Sequence, residues 1–183
     1  ADLILITHEH FDHLHEANVA RLKKHDTIVL GSQGSVSNLG YGRPMQAGQD
    51  VDFGHIKVDA VEAYNTTKFR SPGNPFHPKG LGVGFIVTLG GKAIYHAGDT
   101  DHIREMAALH GKIDAALLPI GGTYTMTVGE AAEAAQGIKP QFLIPMHYNS
   151  EKYGVPGIQA NPIDLAKALV GKGIVVSILN PLV

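Results

Sequence analysis

Three apolar segments of this chain end on metal-ligand residue types, and that recurrence restricts the folds open to it. "ADLIL" runs into "ITHEHFDH", "AIYHAGDTD" carries Asp99 at its exit, and "FLIPMHYN" carries His147. Each reads as a buried strand followed by an imidazole or carboxylate and then a turn. Polar groups at three strand ends meet only if those ends share an edge. Layered α/β architectures provide such an edge, with ligands gathering outside the strand ends.

The densest of the three stretches holds three histidines and two acids between His8 and His13. His8, His10 and Asp12 would alternate in an extended segment and so share a side. His13 points elsewhere unless the backbone turns. Two neighbouring cations resolve this pattern: one takes His8 and His10, the other Asp12 and His13. Such a pair needs further donors, and Asp99 and His147 are the candidates. Gly98 permits a tight exit toward Asp99.

Composition narrows the remainder. With 183 residues, 44% of them apolar and 17% charged, the chain suits one soluble domain with a real core. A net charge of −2 argues against a nucleic-acid or membrane-surface field, and no apolar run is long enough to span a bilayer. No cysteine is present, which excludes disulfides, thiolate ligands and a cysteine nucleophile, and is compatible with a cytoplasmic location. No serine-centred elbow motif is seen either.

Strand and helix patterns alternate along the chain. After the first strand, residues 17–24 have helical spacing, with Ala17, Ala20 and Leu22 available to pack. "TIVLG" from Thr27 is a short buried strand, and the Gly- and Ser-rich stretch after it is loop with at most a short helix. "HIKVDAVEAY" alternates as a half-buried strand. Residues 67–80, with three prolines, read as loop. Gly90-Gly91 between apolar runs predicts a two-residue hairpin turn. Residues 102–109 look helical. "IDAALLPI" and "QFLIPMH" are strands. Thr127 and Glu130 form a capping box before an Ala-rich helix. Asn161-Pro162 opens a last helix, and "IVVSIL" is a closing strand. The alternation plus a hairpin predicts an α/β sandwich with mixed sheets.

Taken together, "THEHFDH", the later "GDT" and the late "PMHYN" resemble the metallo-β-lactamase superfamily. "GVGFIVTLGGKAIYHAGDTD", "LLPIGGTYTMTVGEAAEAA" and "KPQFLIPMHYN" are similar to its branch of metal-dependent hydrolases related to ascorbate 6-phosphate lactonase. The resemblance covers nearly the whole chain. It implies an αββα four-layer sandwich over residues 1–183, and a metal shell of His8 and His10 completed by His147 or a further histidine, with Asp99 bridging two divalent ions. A nitrogen and oxygen donor set suits Zn²⁺ first, and also Mn²⁺, Fe²⁺ or Ni²⁺. Asp12 would hold one ion and orient a metal-activated water.

Two departures stand out. The family's usual ligand histidine before the hairpin is replaced by Asn65 in "VEAYN", and His77 in "FHPKG" is the expected substitute. Asn65 is then a weak oxygen ligand, a hydrogen bonder behind a ligand, or a substrate contact. The family also places several strands before its histidine motif. The expectation is therefore a domain lacking its N-terminal strands, covered by a second copy or a companion chain.

Lys79, Tyr124, Tyr148 and Asn149 flank the ligand positions and are expected to bind or polarise a small-molecule substrate. His25, His55, His102 and His110 read as solvated, His15 matches no ligand position, and His96 should pack or hydrogen-bond beside the site. The functional expectation is a hydrolase of an ester, lactone or phosphoester. A nuclease of the same superfamily is the alternative, although its basic surface is missing. Di-iron redox chemistry would want a glutamate where His10 stands, and a non-catalytic metal-binding protein is the third class.

Overall fold

The computed structural model describes residues 1–148 and 158–179. Its apolar segments form two sheets packed face to face. The smaller contains β1 (Leu3–Ile6), β2 (Ile28–Gly31) and β3 (Arg43–Pro44), all parallel, in the order β1-β2-β3. The larger contains β4 (Asp50–Asp52), β5 (Ile56–Ala63), β8 (Gly82–Leu89), β9 (Lys92–His96), β10 (Ala115–Pro119), β11 (Phe142–Met146) and β12 (Val175–Val176). Its order is β12-β11-β10-β9-β8-β5-β4, parallel from β9 to β12 and antiparallel elsewhere. The two remaining strands, β6 (Phe69–Ser71) and β7 (Asn74–Pro75), pair only with each other.

Alternation sorts the side chains into layers. Ile4 and Ile6 of β1 face the helix α1 (Glu16–Leu22), where Leu14, Val19 and Val29 complete an outer cluster. Leu3 and Leu5 face the other way, into the inter-sheet core with Leu30, Met45, Val58, Val83 and Phe85. The opposite face of the large sheet carries Tyr95, Ala116, Leu118 and Leu143. These pack with the buried alanines of α3 (Val128–Ile138), with Leu165 of α4 (Pro162–Ala168) and with Met106 of a 3-10 helix (Arg104–Leu109). A short α2 (Gln33–Leu39) follows β2. The result is helix, sheet, sheet, helix, as the αββα expectation requires.

Local signals act as their chemistry dictates. Gly90 and Gly91 both take positive φ, 57° and 74°, and so turn the β8–β9 hairpin tightly. The Thr127 hydroxyl accepts from Glu130 N–H, and the Glu130 carboxylate accepts from Thr127 N–H, closing both bonds of the capping box. The Asn161 side chain caps α4 by accepting from Ile163 N–H, with Pro162 at the first turn.

Three expectations need correction. The stretch 67–80 is not all loop: Pro72-Gly73 turns the small β6–β7 hairpin. Helix α1 buries Val19, while Ala17, Ala20 and Leu22 face solvent, because Val19 is the one position of this seven-residue helix that the sheet covers. The last strand is two residues long rather than six. Its ladder reaches Leu143 and stops short of Pro145, which has no N–H to offer. β3 and β4, too short to show a pattern, were not foreseen in the sequence.

The small sheet covers only part of the large one. The register row Val58, Val87, Ile94, Ala115, Phe142, Val175 runs across the inter-sheet face. Val58 is fully buried, yet Ile94, Phe142 and Val175 are 38%, 40% and 53% exposed. Among the described residues, β1 has no strand partner on its outer edge. No described helix is long and apolar enough to cross a membrane.

Candidate metal centre

The strand directions bring the polar ends together. β9, β10 and β11 are parallel, and β5 runs the same way because two antiparallel steps separate it from β9. Their C-terminal ends therefore share one edge of the large sheet. β1 reaches that edge from the other sheet, where Val83 N–H donates to the Thr7 carbonyl at 3.0 Å. The contact is close: a Cβ on Gly82 would lie 3.0 Å from the Cβ of His8. After β1 the backbone turns, with His13 N–H and Leu14 N–H both donating to the His10 carbonyl. That turn lets His13 converge with His8, His10 and Asp12.

Asp99 sits at the centre and is buried. Its Oδ1 lies 3.3 Å from His13 Nε2. Its Oδ2 lies 3.3 Å from His77 Nε2, 3.3 Å from His147 Nε2 and 4.0 Å from His8 Nε2. Asp12 Oδ2 approaches His13 Nε2 at 3.5 Å and His147 Nε2 at 3.6 Å. Three donor groups are compact enough to hold a cation: His8, His10 and His77; His8, His13 and Asp99; Asp12, His13 and His147.

The donor atoms also lack other work. His8 Nε2, His13 Nε2 and Asp99 Oδ1 are buried and make no hydrogen bond. Buried polar atoms without partners are costly, and three of them within one donor cluster suit the coordination of a cation. Burial drives the His8 imidazole far below its ordinary value and His77 to about 4. Both rings are therefore neutral near pH 7, the form that binds metal. Burial alone would raise Asp99, but the surrounding histidines, His13 first, hold its carboxyl below the usual range. Asp12 follows the same balance: burial raises it, and the His147 hydrogen bond and His13 bring it down.

His147 itself has φ of 55°, a left-handed conformation uncommon outside glycine. Such backbone costs about 1–3 kcal/mol and persists where its surroundings enforce it. Gly121 is part of that enforcement, since a Cβ there would lie 2.6 Å from the His147 carbonyl oxygen.

Asn65 stands behind the donors rather than among them. Its Oδ1 accepts from both the backbone N–H and Nδ1 of His77, each at 2.8 Å. Its Nδ2 donates to Asp101 Oδ1 at 3.0 Å and to the Tyr124 carbonyl at 2.9 Å. That occupies the whole amide, leaving nothing for a substrate. The bond to Nδ1 assigns the proton there and turns Nε2 of His77 toward Asp99. Asp101, not singled out in the sequence, accepts from the backbone N–H of Thr66 and Thr67 at 2.7 and 2.6 Å and fixes this loop.

A cavity of about 200 Å³ opens over the donors, lined also by Phe11, Arg70, Phe76 and Tyr124. Tyr124 is thus where the sequence expected it. Lys79 is not: it pairs with Glu62 and Glu105 and lines a separate hollow of about 390 Å³. Tyr148 packs against the large core instead of the cavity. Asn149 lies outside the described residues. Phe11, Arg70 and Phe76 were missed; the first is adjacent to two ligands and could have been flagged. His25, His55, His102, His110 and His15 are exposed, and His96 accepts from Gly98 N–H at 3.2 Å.

Fold and donor geometry together define a metallo-β-lactamase-type, metal-dependent hydrolase. Residues 1–147 match the model of the β-lactamase superfamily domain, and the chain belongs to that superfamily. It is similar to a UPF0173 metal-dependent hydrolase of Pyrococcus furiosus, 40% identical over 186 residues, covering 98% of this chain and 79% of the relative. One from Archaeoglobus fulgidus is 35% identical, covering 98% and 78%. Among solved structures, a metal-dependent hydrolase from Parabacteroides distasonis superposes with TM-score 0.84 at 40% identity, covering 97% of this chain and 76% of that one. Igni18, a metallo hydrolase of Ignicoccus hospitalis, gives 0.78 at 28% identity, covering 98% and 76%.

Proposed function

We propose that the protein hydrolyses an ester, lactone or phosphoester bond of a small molecule at a dinuclear centre, zinc being the first choice of metal. One observation carries this reading. His8, His10 and His77 form one compact donor group and Asp12, His13 and His147 another, and the Asp99 carboxylate lies 3.3 Å from an imidazole of each, His77 in the first and His13 and His147 in the second. Two divalent ions would be held by these two groups, with Asp99 within reach of both.

Divalent ions held there supply Lewis acidity toward a carbonyl or phosphoryl oxygen and a water acidified toward neutral pH. The chain's own residues do the rest. Asp12 is held ionised and lines the cavity, where its carboxylate can accept a proton from the attacking water. Asn65 locks the ring of His77. Phe11, Phe76 and Tyr124 wall the cavity and limit solvent around the bound substrate. No side-chain nucleophile is needed.

Within this reading a lactone-like substrate leads, on the sequence similarity to the ascorbate 6-phosphate lactonase branch. The test is a hydrolysis panel of a lactone, a phosphodiester and a β-lactam, with zinc-loaded wild type and Asp99→Ala. Lactone turnover lost in the variant supports the proposal. Turnover unaffected by the substitution removes Asp99 from the chemistry.

The exposed row at Ile94, Phe142 and Val175, beside the open edge of β1, favours a covering partner. We propose further strands there, from a second copy or a companion chain.

A further inference from the structure

We propose that Arg70 recognises an anionic substituent of the substrate, a carboxylate or a phosphate, at the mouth of the metal cavity. The proposal rests on the hydrolase reading and adds the substrate's charge to it. Arg70 lies on β6, and the β6–β7 hairpin carries it to the cavity wall. Its guanidinium stands over the Phe76 ring, 5.1 Å from the centroid. Phe76 in turn meets Tyr124 edge to face at 4.7 Å. This stack pre-orients a planar, permanently charged fork beside the donor cluster.

The charge has no internal use. Among the described residues, no carboxylate forms an ion pair with Arg70. Its neighbours differ: Lys68 is bound to Glu130 at 2.8 Å, and Lys79 to Glu62 and Glu105. Apart from the Tyr124 phenol, every other ionisable group lining the cavity is a metal-donor candidate, namely His10, Asp12, His77, Asp99 and His147. Arg70 is therefore the cavity's one lining cation away from the centre. Its fork matches a carboxylate or phosphate geometrically, and the aromatic floor reduces the freedom lost on binding. A substrate that places its scissile bond at the donors and an anionic group toward the hairpin meets both.

Calorimetric binding tests this without requiring turnover. Zinc-loaded wild type, Arg70→Met and Arg70→Lys are titrated with 5-oxoproline, a γ-lactam carboxylate, with neutral 2-pyrrolidinone, and with glycerol 3-phosphate. Wild type is expected to bind at least one of the two anions about tenfold more tightly than 2-pyrrolidinone. Arg70→Met abolishes that preference, Arg70→Lys restores part of it, and 2-pyrrolidinone binding stays unchanged. The anion losing more in Arg70→Met identifies carboxylate or phosphate as the class. No anion preference in wild type, or one that survives in Arg70→Met, overturns the proposal. Lactone hydrolysis measured on the same samples reports separately on the hydrolase reading.

Discussion

Replacing Asn65 by alanine probes how one donor is aimed. The substitution removes four hydrogen bonds of 2.8–3.0 Å: two to His77, one to Asp101 and one to the Tyr124 carbonyl. A typical net contribution is about 0.5–1.5 kcal/mol per bond, and water can re-enter the small polar gap. The metal-free protein should therefore lose roughly 2–4 kcal/mol. Asp101 keeps its bonds to Thr66 and Thr67, so the loop survives. With Nδ1 of His77 unanchored, the ring no longer holds Nε2 toward the cation. Losing such a partner weakens metal affinity about 10–100-fold. The effect should be one-sided, because Asp12, His13 and His147 do not touch Asn65. Zinc titration against a chromophoric chelator reads both affinities, and urea unfolding of the metal-free protein reads stability. One affinity should fall while the other stays within a few-fold. An unchanged pair of affinities, or an equal fall in both, refutes the claim that Asn65 acts through His77.

Other outcomes follow from the same geometry. Gly121→Ala drives a methyl to within 2.6 Å of both the His147 carbonyl oxygen and Ile158 Cγ2. Overpacking of this kind costs about 1–3 kcal/mol, so the urea midpoint should drop and zinc affinity with it; an unchanged midpoint contradicts the packing described. The metal-free protein should also lose stability as pH falls from about 6.5 toward 4. Burial pushes His8 down strongly, and His77 and His96 to about 4, so the unfolded chain binds more protons than the folded one across that window. His147 opposes in part: burial lowers it, but Asp12 and Asp99 raise it on balance. Urea midpoints at pH 7 and pH 5 measure the net, and a higher midpoint at pH 5 contradicts it.

The parts of the site legible in sequence were those set by local spacing. His8, His10, Asp12 and His13 announce themselves within six residues, and Asp99 and His147 each close an apolar strand. The structure brings all six together because parallel strands end at one edge. His77 was reached only by asking what could stand in for Asn65. Lys79 and Tyr148 were misplaced because adjacency to a ligand position does not fix where a side chain points. After His77 the chain turns through Pro78 and Gly80, which sends Lys79 to Glu62 and Glu105. Arg70 and Phe76 were hidden for a related reason. Their segment has the proline and glycine content of a loop; Pro72-Gly73 marks a turn, but no alternating apolar runs flank it to signal the hairpin that aims them at the cavity. The mixed α/β sandwich was readable from the succession of strand and helix patterns and the Gly90-Gly91 hairpin, and its four-layer order from the resemblance, whereas the exposed row at Ile94, Phe142 and Val175 depends on how far the small sheet extends.

The centre itself is tested most directly by anomalous diffraction from a zinc-soaked crystal of the wild-type protein. Two peaks should flank the Asp99 carboxylate, one against His8, His10 and His77, the other against Asp12, His13 and His147. A single peak, or peaks that leave Asp99 without a metal contact, would contradict the dinuclear account.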